Sequence, residues 1–290
     1  MLEPPASTRV VALALVLSAG CKPETAPSLE APAASESGPP PTFVELPAVE
    51  EPAGARLSLH QAAFDWSTLA YVYAHADSIP ELAIVGAPAD ADRDRVAMLH
   101  DGDLYRLYMF RSGRDDAVYQ FAYDPATLAY TYGFRSVPEL AIVGAPADAS
   151  ARSFAMLHDG ARYRLYMRSE TAPTRLYQFA FNPTSGVYEF GYDSIPELEL
   201  VGSPAGVDHE RWAMLHDGEV YRYYAFARGR ADLLHQFAFN AGTGAYEYGH
   251  DNSIPQIPVV GMPAASDTSD FVMLHDGADY RFYLLALASG

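Results

Sequence analysis

One pattern governs everything this chain can fold into: the string MLHDG begins at Met98, Met156, Met214 and Met273, a period of about 58 residues. Other strings keep the same register. VGxP begins at Val85, Val143, Val201 and Val260, an Ile/Val-Pro pair falls at Ile79, Val137, Ile195 and Ile254, and Gln-Phe recurs at Gln120, Gln178 and Gln236. Within one unit the residues alternate as strands do. FAMLHDG from Phe154 ends in Asp159-Gly160, a hairpin signal, and YRLYMR from Tyr163 and RLYQFAFN from Arg175 follow. VYEFGY from Val187 makes a fourth strand, and SIPELELVGSP reads as a crossing segment punctuated by Pro196, Gly202 and Pro204. No helical period is sustained anywhere. The abundance of Tyr and Phe, 20 and 14 residues, suits pleated, half-buried surfaces.

The two ends complement each other. The last unit stops after its second strand, YRFYLLAL from Tyr280, whereas the repeats open with LHQAAFDWSTLAYVYAH from Leu59, which aligns with third and fourth strands. AFDWSTLAYVY at Ala63 matches AYDPATLAYTY at Ala122. Half-units at opposite termini make sense if they join, because closure removes the exposed edges that invite aggregation, whereas an open solenoid needs polar caps. The expected fold is all-β: a four-bladed β-propeller of four-stranded antiparallel blades, the last blade completed by the N-terminal strands.

Residues 1–56 differ in kind. Arg9 precedes the apolar run Val10–Leu17, then Ser18-Ala19-Gly20-Cys21. The run is too short to span a bilayer and reads, over residues 1–20, as a secretory signal. Cys21, the sole cysteine, can form no internal disulfide. It follows small residues as in the lipobox of bacterial lipoproteins, although Leu17 stands one place early; the alternative is plain secretion with an incidental cysteine. By that resemblance, Cys21 is lipidated and Lys22 directs the protein to the outer membrane of a Gram-negative cell. Residues 21–56, rich in Pro, Ala and Glu and nearly free of aromatics, read as a disordered tether, leaving 57–290 for the repeats. A net charge of −18 argues against nucleic acid and against unaided contact with anionic lipid, so membrane association requires the anchor.

Several motifs taken together resemble the hemopexin-like family of four-bladed propellers: VGAP at Val143, HDG followed by Tyr163, LYQF at Leu176 and GYDSIPEL at Gly191. The departures are a missing tryptophan in the third strand and the impossibility of a ring-closing disulfide. What the resemblance implies is an interaction module, with a channel ion such as calcium or sodium held by carbonyls of the innermost strands.

Two repeated sets stand out as structural or binding candidates. His100, His158, His216 and His275, beside Asp101, Asp159, Asp217 and Asp276, suggest a metal site. Symmetry spreads them around an axis, about 10 Å or more apart on ordinary sheet spacings, and strand alternation points them between blades, which favours a structural role in donating to backbone or carboxylate. Arg106, Arg164, Arg222 and Arg281 lie within YRxY strands and must be paired if buried; Glu81, Glu139 and Glu197 are the expected partners, and an anion-binding surface is the alternative. No HExxH, GxSxG or phosphate loop occurs, and every candidate acid or base is repeated, so no enzyme is expected. A periplasm-facing hydrolase would need an asymmetric polar cluster. The least repeated segments are Ala91–Arg95, Arg111–Asp116, Val207–Arg211 and Ser266–Asp270. The reading is a lipid-anchored scaffold binding a protein or matrix polymer; a multivalent lectin is the alternative, favoured if aromatics of all blades line equivalent exposed pockets.

Overall fold

The chain divides into two units, Met1–Pro47 and Ala48–Gly290, and the computed structural model describes residues 57–76, 78–251 and 253–286 of the second. The leader, Cys21 and the tether lie outside the described residues. Every regular element among the described residues is a strand. The region opens with β1 (Leu57–Asp65), β2 (Ala70–Tyr73) and β3 (Glu81–Val85). A first group holds β4 (Ala91–His100), β5 (Tyr105–Arg111), β6 (Ala117–Asp124), β7 (Ala129–Tyr132) and β8 (Glu139–Val143). A second holds β9 (Ala149–His158), β10 (Tyr163–Ser169), β11 (Arg175–Asn182), β12 (Val187–Phe190) and β13 (Glu197–Val201). A third holds β14 (Val207–His216), β15 (Tyr221–Ala227), β16 (Leu233–Asn240), β17 (Ala245–Tyr248) and β18 (Gln256–Val260), before β19 (Val272–His275) and β20 (Tyr280–Leu285).

Each group is an antiparallel sheet, called here sheet I (β4–β8), II (β9–β13) and III (β14–β18). In sheet I, β5 pairs with β4 and β6, and the free edge of β6 is shared: Phe121–Asp124 pairs with β7 and Ala117–Tyr119 with β8. Sheet IV draws on both ends of the repeat region. β19 pairs with β20, and β20 pairs with β1 in a register that sets Leu59 against Leu285 and Ala63 against Arg281. β1 in turn carries β2 and β3. The complementary half-units read from the sequence therefore do join.

The crossing segments correct the expectation of four strands per repeat. ELAIV and its counterparts form a fifth strand, β3, β8, β13 and β18. Each alternates exposed and buried residues, with Leu82 and Ile84, Leu140 and Ile142, Leu198 and Leu200, and Ile257 and Val259 turned inward. Flanking Pro and Gly disguised a run with the two-residue period of a strand. Each of these strands then runs parallel to the fourth strand of the next sheet: β3 with β7, β8 with β12, β13 with β17, and β18 with β2. Hydrogen bonding thus passes from sheet to sheet and returns to its start. The described region is all-β and propeller-like.

Two glycine positions show why the repeat motifs are fixed. Gly102, Gly160, Gly218 and Gly277 of the HDG hairpins have φ of 92°, 87°, 94° and 91°, a conformation costly for any residue with a Cβ. The Asp before each glycine completes the turn; Asp101 Oδ1 accepts from the amides of Asp103 and Leu104. The VGxP glycines also have positive φ, and at Gly144 an added Cβ would lie 3.6 Å from Cβ of Phe190 on the next sheet. The apolar core lies in four clusters, each filling the space between two successive sheets.

Candidate functional site

The YRxY strands place the repeated arginines, and the structure gives them other partners than the glutamates. Arg106, Arg164, Arg222 and Arg281 donate through Nε to the HDG aspartate of their own sheet, Asp101, Asp159, Asp217 and Asp276, at 2.5, 2.6, 2.6 and 2.6 Å. A hairpin brings residues five apart across from each other, so the aspartate is nearer than any residue of the outer strand. Glu139 and Glu197 lie instead near Arg111 and Arg175, and Glu81 accepts from the Ser58 hydroxyl. The aspartates are nearly inaccessible, with side chains 3–6% exposed. Burial alone would raise their pKa. Backbone amides and the guanidinium outweigh it and hold Asp101, Asp159 and Asp276 at about 2, with Asp217 also lowered.

Each aspartate has a further donor from the following sheet. Tyr163, Tyr221 and Tyr280 donate to Asp101, Asp159 and Asp217 at 3.0 Å, and Tyr105 donates to Asp276 at 3.1 Å. The tyrosine, aspartate and arginine therefore stitch all four junctions in the same way. The arginine charge is cancelled where it stands, which leaves no spare positive charge for an acidic ligand.

The four histidines line one small axial space with the methionines and leucines of the inner strands. Each ring rests on the tyrosine of its own hairpin, with centroids 4.5–4.6 Å apart: His100 on Tyr105, His158 on Tyr163, His216 on Tyr221 and His275 on Tyr280. The rings meet at interplanar angles of 40–46°, and at His158 Nδ1 accepts from the Gly160 amide at 3.3 Å. Burial lowers all four pKa values, so the rings are neutral at neutral pH. Among the described residues no group of His, Cys, Asp or Glu could hold a metal ion. Thioether, alkyl and imidazole side chains supply none of the oxygen ligands a hard cation takes, so a channel ion of the kind the resemblance implies would rest on backbone carbonyls alone.

The cavities lie elsewhere, between sheets on the side of the HDG hairpins. At the II/III junction a space of ≈ 360 Å³ has Tyr166 and Tyr246 at its base and Tyr221 and Phe239 as an aromatic wall. Its polar lining is Arg164, Gln178, Asp193 and Ser194. Corresponding residues line a space of ≈ 80 Å³ at III/IV, with Tyr224 and Tyr71 below, Phe64 and Tyr280 as wall, and Arg222, Gln236 and Ser253 as polar groups. A third, of ≈ 130 Å³ at IV/I, sets Tyr283 and Tyr130 below Tyr105 and Tyr123, beside Arg281 and Gln61. The aromatic wall keeps one geometry: Tyr105–Tyr123, Tyr221–Phe239 and Phe64–Tyr280 have centroids 6.0, 6.0 and 6.2 Å apart. The same pair stands at the I/II junction as Tyr163–Phe181, 6.3 Å apart.

Polar groups in these spaces are fixed by partners. Gln61, Gln120, Gln178 and Gln236 are bonded to the hydroxyls of Tyr283, Tyr108, Tyr166 and Tyr224 at 2.7, 3.1, 3.0 and 2.7 Å. The serine before the Ile/Val-Pro pair differs in three of the four repeats, Ser78 being the one that donates, to the His75 carbonyl at 2.7 Å. The Oγ atoms of Ser136, Ser194 and Ser253 are buried without a hydrogen-bond partner, although such groups are ordinarily satisfied. Sequence reasoning passed over these serines and over Tyr123, Phe181, Phe239 and Phe64. Their signal was recurrence in register, but it was hidden by residue types that usually fill cores or turns.

The least repeated segments flank the start of the inner strands, where Arg95 and Arg211 bind Asp92 and Asp208 at 2.8 and 2.9 Å and the carbonyls of Arg111 and Arg230 at 3.0 Å. These contacts tie strand to loop. In the fourth such segment the buried Ser266 hydroxyl is hydrogen-bonded to His60 Nδ1 at 2.8 Å.

No protein-family model and no curated protein matches the chain. Solved structures similar to it include AofleA from Arthrobotrys oligospora, at 15% identity and a TM-score of 0.35, covering 74% of this chain and 60% of that one. A putative 6-phosphogluconolactonase from Bacteroides fragilis is similar at 14% identity and a TM-score of 0.28, covering 66% of this chain and 51% of that one. The chain thus spans less than two thirds of either protein.

Proposed function

We propose that residues 57–286 form a four-bladed propeller that binds neutral carbohydrate in pockets between its blades. The observation that carries this reading is the recurrence of one pocket, with the same aromatic pair, guanidinium and amide positions, at three junctions, two of which add a serine. A pyranose has an apolar face of C–H groups and a rim of hydroxyls, so it needs a flat aromatic surface beside a few fixed donors and acceptors. The pockets offer both, and the II/III space, at ≈ 360 Å³, lies within the range of roughly 300–1,000 Å³ usual for small-molecule sites, while the other two are shallower clefts. An unpartnered serine hydroxyl in a buried position suits a ligand that itself brings hydroxyls. Neutral sugars are favoured over acidic ones because each arginine is neutralised by its aspartate and the chain carries −18 overall. Several weak sites on one molecule gain avidity on a surface that repeats its sugar, and no catalytic step is required of them.

The sequence adds a place for this activity: exported, and held on the outer membrane by lipid at Cys21. Cys21→Ser is then expected to shift the protein from membrane to soluble fractions. A protein partner is the competing reading, and it has in its favour the exposed Val85, Val143, Val201 and Val260 at one repeated position of the outer strands. A glycan array probed with the full-length chain tests the two. Binding of neutral glycans, abolished by Tyr221→Ala and Phe239→Ala together with their counterparts at the other junctions, is the expected result. Absence of any neutral glycan signal would overturn the carbohydrate reading in favour of the protein partner.

A further inference from the structure

The pockets repeat, but one turn does not. At the tip between the third and fourth strands three sheets carry Pro125, Pro183 and Ala241, whereas β1 and β2 are joined through Trp66. That indole is 65% exposed, although it is the larger kind of side chain that solvent contact disfavours most. It stands edge-on to the two aromatics of the III/IV wall, 4.9 Å from Phe64 and 5.9 Å from Tyr280 by centroid. It lines the same space and carries that wall outward into solvent. The turn holding it does not depend on the indole, because Asp65 accepts from the Ser67 amide, the Ser67 hydroxyl and the Thr68 hydroxyl at 2.7–2.9 Å.

We infer that Trp66 is a stacking platform for a second sugar ring, making the III/IV junction a disaccharide site and the strongest on the molecule. This rests on the carbohydrate reading above. The III/IV space, ≈ 80 Å³ against ≈ 360 Å³ at II/III, is the smaller of the two. It has room for no more than one ring, and the next ring of a glycan has the exposed indole face to lie on. The other junctions have nothing flat in that position and read one ring at a time.

The chain has two tryptophans, and the second, Trp212, is 1% exposed and bonded through Nε1 to the Ser153 hydroxyl. The change in intrinsic fluorescence thus reports the Trp66 site, with buried Trp212 contributing a constant emission. The test titrates the full-length chain, by fluorescence and calorimetry, with maltose, cellobiose, lactose and chitobiose and with the methyl glycosides of their units. One disaccharide is expected to bind a single site about tenfold more tightly than its methyl glycoside and to shift the emission to the blue. Trp66→Ala should abolish the advantage and leave monosaccharide binding at the other junctions, and Trp66→Phe should keep part of it. A disaccharide bound equally well by Trp66→Ala, or bound by the wild type without a change in emission, would overturn the inference while leaving the carbohydrate reading intact. Calorimetry showing no binding of any of these sugars would overturn the carbohydrate reading and the inference with it.

Discussion

At the scale of single residues, the buried aspartates and histidines make this domain sensitive to acid in two steps. The histidines have pKa values lowered from 6.5 in the folded state, so they contribute stability above pH 6.5 that is lost as pH falls and the unfolded chain takes up their protons first. The aspartates, held at about 2 against 3.8, contribute stability above pH 3.8 that is lost as pH falls through 2. Melting temperatures followed from pH 8 to pH 2 should be flat at first, decline below 6.5 and fall again below 4; a flat profile between pH 7 and 5 would remove the histidine part. Breaking one pair tests the other half. Arg222→Met leaves the Asp217 carboxylate buried without its counter-charge and should cost about 3 kcal/mol, whereas Arg222→Met with Asp217→Asn should cost less. Denaturant unfolding distinguishes the two, and a double variant as unstable as the single one would contradict the coupling.

Among the strands and turns, what the sequence made legible was the part expressed as alternation and hairpin signal: β4 to β7, β9 to β12 and β14 to β17. The strands β3, β8, β13 and β18 escaped because Ser-Ile-Pro before them and Val-Gly-x-Pro after them look like pure linker. Five alternating residues between two prolines are easily read as coil, and the parallel partner that stabilises them belongs to a different repeat. The arginine partners were misread for a related reason. Glu139 lies on a strand and Asp101 in a turn, but the turn folds its own carboxylate back over the second strand. The VGxP glycine illustrates what a linker reading misses. Gly144→Ala puts a Cβ at φ of +76° and 3.6 Å from Phe190, so it should cost about 1–2 kcal/mol and loosen the I/II rim. Hydrogen exchange of β8 and β12 amides should show the loss locally, and unchanged protection there would count against it.

For the whole molecule, closure was the most legible property, since Leu59–His75 and Tyr280–Leu287 are visibly two halves of one unit. The pockets were the least legible, because each is made by residues of neighbouring repeats and no single stretch contains one. Closure predicts that stability is shared. Truncation before Tyr280 removes β20 and leaves β1 without its partner from Leu59 to Ala63. The shortened chain is expected to lose the cooperative melt of the full one and to associate through the bared edge, which light scattering would detect. A monomeric product with an unchanged melt would refute that view.

The strand nearest the N-terminal side, β1, is hydrogen-bonded along one edge to β20 and along the other to β2 and β3. A pull on Leu57 directed along the strand therefore loads ladders on both flanks in shear, with many bonds strained together and none peeled singly. A protein tugged from that end while its pockets grip a surface would hold until the load broke both rows at once.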